Sequence, residues 1–321
     1  MSLDYFSPLV TLGPQTTANL RFSGWRSAVA RHNRSTMPLP RRRRDDFEED
    51  RLYAYPQHLR EAIEDAPTGA GVYVFHGQEG DLPLYIGKSV NIRARLLSHL
   101  RTPDEARMLR QTQRISHIRT AGEIGALLLE AQMIKAQHPL FNQKLRRNKQ
   151  LCSLQMRQGV PEVVYSKDID FASAPDLYGL FASRHAALDA LRGIADQQRL
   201  CYAPLGLEKL PPGKACFRAA IRQCAGVCRG DETPQAHSER LFTSLLALRV
   251  ECWPYGGAMG LVERDDELTQ IHVVNHWCYL GSAATREQAR QLSTVAAGFD
   301  ADGYKILCRP VLTHSVELMP L

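Results

Sequence analysis

A carboxylate placed among apolar residues is the first chemical signal in the sequence. Glu130 lies in a run, Glu123 to Gln137, that reads as a helix, and its neighbours three and four positions away are Ala126, Leu127, Met133 and Ile134. The acid therefore projects from the apolar stripe and not from the polar face. An unpaired buried carboxylate is costly, so it must be neutralised, bonded to a cation or coordinated to a metal. Tyr73 and Tyr85 sit in short strand-like runs, where each alone reads as a core aromatic with a bonded hydroxyl. Their coincidence in two strands that pair, with Lys88 directly after and Arg95 on the next helix, changes the balance. Phenols and cations converging beside a buried acid suit a phosphodiester. Its hydrolysis needs a water deprotonated, a phosphorane charge stabilised and a leaving oxygen neutralised.

A second cluster is made of thiols. Cys201, Cys216, Cys224 and Cys228 fall within 28 residues, and four thiolates are the ligand set of a structural Zn²⁺ or an iron-sulfur cluster. Cys224 and Cys228, four apart, could share a helix face. The spacing matches neither paired zinc-ribbon motifs nor ferredoxin runs, so zinc, iron-sulfur and plain thiols all stay open. Cys152, Cys252, Cys278 and Cys308 are scattered and read as ordinary buried thiols.

The elements that must position these groups follow from periodicity and turn residues. Gly71 to Phe75, the turn formers Gly77 to Asp81, and Leu82 to Gly87 read as a hairpin of two short strands. Ser89 or Asn91 offers an N-cap. Ile92, Leu96, Leu97 and Leu100 then recur at helical spacing and leave Arg95 and His99 together on another face. A short helix over Asp104–Gln113, a strand over Ile115–Thr120 and the long helix Glu123–Gln137, stopped by Pro139, complete a small α+β domain from about 60 to 150. Residues 151–321 read as a second, mixed α/β domain, with its cysteine-rich region at 200–230. It carries a strand at Glu162–Tyr165, helices over Ser183–Arg199 and Glu239–Val250, and strands at Ile271–Tyr279 and Tyr304–Cys308.

The bulk properties narrow the function classes. The chain has 321 residues, 44% hydrophobic and 23% charged, long enough for two domains and without a run approaching the roughly 18 apolar residues of a membrane span. The N-terminus lacks a secretory signal pattern, so a cytoplasmic protein with reduced thiols is expected. Net charge is only +6, but Lys88 to Lys149 holds 13 Lys/Arg against four acids, a net +9. A polyanion would dock there. Residues 1–50, with Arg41 to Arg44, read as a flexible basic arm.

Taken in order, Gly71-Val72-Tyr73, Tyr85-Ile86-Gly87-Lys88-Ser89, Asn91-Ile92-Arg93-Ala94-Arg95, Glu130-Ala131-Gln132-Met133-Ile134-Lys135 and Phe141-Asn142 resemble the five motifs of the GIY-YIG nuclease domain as found in UvrC. Val72 stands in place of the isoleucine of the family name. The resemblance implies that Tyr73 is the general base or the phenol that orients water. It makes Glu130 the ligand of one divalent cation, Mg²⁺ or Mn²⁺, and Arg95 the stabiliser of the phosphate. Tyr85 and Lys88 would give supporting polar contacts and Asn142 would brace the site. His99 stands where UvrC-type domains often carry Tyr. A phenol titrates near 10, so Tyr73 can act as a base only if a cation depresses it or its proton leaves in concert.

Leu200-Cys201-Tyr202, Cys216-Phe217-Arg218 and Arg222-Gln223-Cys224-Ala225-Gly226-Val227-Cys228 resemble the cysteine region of UvrC. That implies a [4Fe-4S] cluster, with Zn²⁺ the alternative. UvrC continues into a UvrB-binding hairpin, a second nuclease and helix-hairpin-helix repeats, for which this chain has no room. The expectation is a shortened UvrC-like endonuclease that makes one incision on the 3′ side of a lesion, in double-stranded DNA marked by UvrA and UvrB. Free-standing GIY-YIG nucleases and non-hydrolytic DNA-binding scaffolds are the rivals.

The +9 segment yields a direct expectation for DNA. Log affinity for undamaged duplex should fall linearly with log salt, because phosphate contacts release counterions without reading bases. A flat dependence in a fluorescence titration would reassign the segment as a solvated face.

Overall fold

The hairpin forms as its residue types demand. The computed structural model describes residues 57–78, 83–142, 151–294 and 298–321; the arm at 1–50, with Arg41 to Arg44, lies outside them. After α1 (Gln57–Glu64), β1 (Gly71–His76) pairs antiparallel with β2 (Pro83–Ser89), placing Tyr73 opposite Gly87 and Phe75 opposite Tyr85. Asn91 accepts the Ala94 N–H at 2.9 Å and so starts α2 (Ile92–Leu100). A 3₁₀ turn (Pro103–Glu105) leads to α3 (Ala106–Gln111), and β3 (Arg114–Arg119) adds to the other side of β1, giving the order β2-β1-β3. Then comes α4 (Glu123–Gln137), ended by His138 in a left-handed conformation.

Strand alternation divides the core in two. Tyr73 and Phe75 pack with Leu59, Ile63, Ile92, Leu96 and Leu109 under α1 to α3. Val72, Val74 and Ile86 face the other way, onto Ile134 of α4.

Two further antiparallel sheets follow. The first has the order β5-β4-β6, from β4 (Cys152–Arg157), β5 (Val160–Tyr165) and β6 (Leu177–Phe181). It packs Leu154 and Tyr178 against Leu191 of α5 (Arg184–Gln197) and Leu241 and Leu245, beyond the four-residue α6 (Phe217–Ala220), on α7 (Pro234–Leu246). The second has the order β10-β7-β8-β9, from β7 (Met259–Arg264), β8 (Thr269–Asn275), β9 (Cys278–Ala283) and β10 (Glu317–Pro320), with α8 (Arg286–Leu292) and α9 (Ala301–Leu312).

Three expected elements differ. α7 begins at Pro234, five residues before Glu239, because Thr233 accepts the Ala236 N–H at 3.2 Å and proline suits the first helical turn. The run Ile271–Tyr279 is no single strand. His276 and Trp277 take φ of 51° and 63° and turn β8 into β9, a conformation that hairpins usually give to Asn-Gly. The Trp277 side chain is fully buried and its indole N–H donates to the Glu251 carbonyl at 2.9 Å, which holds the bulky residue there. Tyr304–Cys308 belongs to α9 and not to a strand. Asp300 caps that helix, and Tyr304, Leu307 and Val311 recur at helical spacing, a pattern that five alternating residues cannot reveal.

A carboxylate of the third sheet caps the helix that packs on the first. Gly122 has no side chain to cap α4, and the Glu263 carboxylate of β7 does so, accepting the N–H groups of Ile124 at 3.0 Å and Gly125 at 2.7 Å. His272 Nε2 meets the same carboxylate at 2.9 Å while its Nδ1 meets the Ser282 hydroxyl at 2.7 Å. A Cβ on Gly125 would lie 2.4 Å from His272 Cε1, so only glycine admits the approach. Burial works to raise the Glu263 carboxyl, but the His272 bond and the two N–H groups hold it below the usual range. At the far end of α4, Lys135 binds Asp300 and, at 2.9 Å, Asp302.

Glu263→Ala should lower stability by about 2 kcal/mol or more, since it removes a helix cap and strands a buried imidazole. An unchanged urea midpoint would show that α4 does not depend on this carboxylate.

Candidate active site

The outer edge of β2 is where the predicted residues meet. β2 ends its sheet, so the peptide groups of alternate residues point outward unpaired. Leu84, Ile86 and Lys88 each find a partner in the long helix or the segment after it. Phe141 donates its N–H to the Leu84 carbonyl at 2.8 Å. The Asn142 side chain holds both groups of Ile86, accepting from its N–H and donating to its carbonyl at 2.8 Å each. Glu130 Oε1 accepts the Lys88 N–H at 3.1 Å. Asn142 and Glu130 thus close the sheet edge beside which Tyr73 lies. The second Glu130 oxygen has no hydrogen bond among the described residues. Burial pushes the Glu130 carboxyl up, and the Lys88 N–H and the charges of Lys88 and Arg95 pull it down.

Tyr73 lies across from Gly87, and the missing side chain matters. A Cβ there would lie 2.3 Å from the Tyr73 oxygen and 2.8 Å from the Tyr85 ring. The Tyr73 hydroxyl meets His99 Nε2 at 2.7 Å, and the rings of Tyr73, Phe75 and Tyr85 all lie edge-on to that imidazole. Burial pushes the Tyr73 hydroxyl well above the ordinary phenol range, the neighbouring Tyr85 adds to this, and Arg95, donating toward the Tyr73 oxygen, pulls against it. Among the protein's own groups desolvation thus outweighs Arg95, so Arg95 alone does not depress this phenol. Burial likewise raises Tyr85. His99 is held below its ordinary value, first by burial and in smaller part by Arg95, with Glu105 acting the other way.

Lys88 departs from its expected place. Its ammonium binds Glu123 at 2.6 Å, and only its backbone turns to Glu130. Other cations of the basic segment are engaged inside the protein. Arg119 pairs with Asp265 and Glu267 of the β7–β8 turn, Lys135 with Asp300 and Asp302, and Arg93 donates to the Ala66 carbonyl at 2.6 Å. Arg95 stays exposed at the site.

The four clustered cysteines also converge. The sulfurs of Cys201, Cys216, Cys224 and Cys228 all lie within 4.8 Å of one another. No helix face brings the last two together: Cys224 lies in a turn and Cys228 in a short 3₁₀ turn, Val227–Arg229. The turn between them needs Gly226, whose φ is 97° and whose Cβ would lie 2.5 Å from the Asp231 carboxylate. Backbone N–H groups of Cys216 and Gly226 point at the sulfurs of Cys228 and Cys224, at 3.5 and 3.3 Å. Donors of this kind stabilise thiolates. Burial raises the Cys201 thiol, whereas at Cys228 the Cys216 N–H and the neighbouring thiols overcome it. The other four cysteines are unpaired and buried or half-buried.

Comparison with known proteins agrees with this architecture along the chain. Residues 69–143 match a UvrC-like GIY-YIG domain, 141–246 the middle domain of UvrC/Cho excinucleases, and 258–321 the C-terminal domain of excinuclease Cho. Excinuclease Cho of Escherichia coli K12 is 57% identical over 276 residues, which cover 86% of this chain and 94% of the relative. The chain belongs to the Cho excinuclease family. It is a GIY-YIG endonuclease of excision-repair type. The Salmonella typhi member of the Cho family is 56% identical over the same shares of the two chains. The UvrABC system protein C of Caldicellulosiruptor saccharolyticus is 27% identical over 57% of this chain and 31% of its own length. Among solved structures, the N-terminal endonuclease domain of UvrC from Thermotoga maritima, bound to magnesium as its catalytic divalent cation, is 30% identical. It covers 27% of this chain and 99% of its own, with a TM-score of 0.26.

Sequence reasoning about this Cho family member missed two acids. Glu105 meets His99 Nδ1, and Glu263 caps α4. Neither had a local signal: Glu105 follows Asp104 in a polar turn, and Glu263 is 133 positions from Glu130.

Gly87→Ala should cost roughly 10²-fold in incision rate, because the phenol must move by about 1 Å to admit the methyl group. Near-normal cutting would mean that the Tyr73 position is not critical.

Proposed function

We propose that the chain cuts damaged double-stranded DNA once, on the 3′ side of a lesion marked by UvrB after loading by UvrA, and does so in the cytoplasm. No described helix is long and apolar enough to cross a membrane. Residues 60–150 form the nuclease domain in this reading and 151–321 the domain that supports it. The observation that carries the proposal is the meeting of Tyr73, Arg95 and Glu130 around the outer edge of β2.

The roles follow from chemistry. Tyr73 takes the proton of the attacking water, and His99 Nε2 accepts the proton that Tyr73 gives up. Arg95, exposed beside the phenol, binds the phosphate and stabilises the charge that builds on it. Tyr85 and the Lys88 ammonium, once released from Glu123, offer polar contacts to the same group. Asn142 keeps the β2 edge in place. Glu130 fits a divalent-cation ligand, since one oxygen is oriented by the Lys88 N–H and the other is uncommitted. Mg²⁺ or Mn²⁺ there would supply charge neutralisation at the phosphate and the leaving oxygen.

Cys201, Cys216, Cys224 and Cys228 would hold a second, structural centre. Likeness to UvrC favours a [4Fe-4S] cluster. The close sulfur packing, all within 4.8 Å, favours a single Zn²⁺, whose bonds of about 2.3 Å set tetrahedral sulfurs roughly 3.8 Å apart. Elemental analysis of anaerobically prepared protein separates the two.

Glu130→Gln should abolish incision of an end-labelled lesion duplex in the presence of UvrA, UvrB and Mg²⁺, with DNA binding nearly unchanged. Cutting within about tenfold of wild type would remove Glu130 from the role of metal ligand. Incision on the 5′ side, or independent of UvrB, would overturn the polarity or the partner assignment.

A further inference from the structure

His99 is 1% exposed, yet each ring nitrogen has a polar partner. Nε2 meets the Tyr73 hydroxyl at 2.7 Å, and Nδ1 meets the Glu105 carboxylate. An ionised carboxylate only accepts hydrogen bonds, so Nδ1 carries the proton and Nε2 presents its lone pair. The Tyr73 hydroxyl is then the donor in its own bond. The imidazole is placed to receive a proton from the phenol, and the carboxylate behind it is placed to stabilise the resulting cation.

Glu105 has no other evident task. It stands at the N-cap position of α3, but its side chain makes no capping bond there. The 3₁₀ turn that presents it is held by backbone bonds, Thr102 N–H to the His99 carbonyl and Glu105 N–H to the Thr102 carbonyl, both 3.1 Å. Pro103 begins that turn. Local sequence thus folds the chain back so that a carboxylate six residues beyond His99 returns to its ring.

We propose that Glu105 is a positioning residue for strand incision: by holding the Nδ1 proton it keeps His99 in the tautomer whose Nε2 accepts the Tyr73 proton. The inference rests on the reading of Tyr73 as acceptor of the water proton. As the water oxygen forms its bond to phosphorus, its proton passes to the Tyr73 oxygen and the Tyr73 proton passes to His99 Nε2. The scissile phosphorus–oxygen bond breaks, its electron pair stays on the leaving oxygen, and that oxygen takes a proton from solvent. His99 later returns its extra proton to solvent by way of Tyr73. Glu105 stays ionised throughout, which parallels the carboxylate of a Ser-His-Asp triad. Such a hand-off avoids a free phenolate, which burial disfavours at Tyr73.

The titratable or charged groups facing His99 are Tyr73 and Tyr85 from the sheet, Arg95 from its own helix, and Glu105. Glu105 is the one that favours the imidazolium. Its loss weakens His99 as a base, so the acid limb of the rate profile moves to lower pH while the plateau falls.

Single-turnover incision by the full chain, on the lesion duplex with UvrA, UvrB and Mg²⁺, tests this. Glu105→Gln should lower the plateau about 10²-fold with little change in KM, and shift the acid limb downward. In a His99→Gln background it should have no further effect, because the carboxylate acts only through that ring. ¹⁵N NMR gives a readout without activity: wild-type His99 should carry its proton on Nδ1, and Glu105→Gln should lose that preference. A proton on Nε2 in the wild type, additive losses in the double variant, or an unshifted pH profile would each overturn the proposal. An active Tyr73→Phe would instead sink the role given to Tyr73, whatever the His99 tautomer proves to be.

Discussion

The start of α4 presents N–H groups that no residue of the helix can satisfy, and Gly122 offers nothing to cap them. Glu263 answers that need from a strand of another sheet. The consequence runs along the helix. With its first turn fixed on β7 and its last turn tied through Lys135 to the start of α9, α4 is held at both ends by residues of the C-terminal part. Glu130 projects from the middle of that clamped rod onto the Lys88 N–H. The Glu130 carboxylate is thus placed by contacts made far from it in sequence.

The sheet edge is the complementary constraint. An unpaired edge strand invites association with another chain, and here the outward peptide groups of β2 are taken up by Phe141, Asn142 and Glu130. The same bonds that satisfy the backbone orient the acid. A site made this way needs few dedicated parts, and it explains why glycine stands opposite Tyr73: the phenol fills the space that any side chain on Gly87 would occupy.

Much of the nuclease half was legible because its signals are local. The hairpin, the Asn91 cap and the bounds of α4 follow from turn residues and helical spacing within short windows. The stray position of Glu130 on an apolar stripe pointed to its half-buried place. The C-terminal half resisted for a physical reason. Its hairpin turns on His276 and Trp277, whose left-handed conformation is held by burial of the indole and not by residue preference. Tyr304 to Cys308 alternates like a strand, but the Asp300 cap and packing at Leu307 and Val311 make it helical. Glu105 and Glu263 act through space, and no periodicity encodes that. The buried Tyr73 phenol illustrates a further limit, since nearby cations are visible in sequence and desolvation is not.

The ion pairs around α4 give the charge pattern a different meaning. Asp265 and Glu267 occupy Arg119, and Asp300 and Asp302 occupy Lys135, so the third sheet and its helix serve as an internal stand-in for a polyanion. Cations satisfied in this way do not compete for stray phosphates. Arg95, exposed beside Tyr73 and in no ion pair among the described residues, is left out of this internal pairing, which separates the cations that hold the fold from one that stands at the candidate site.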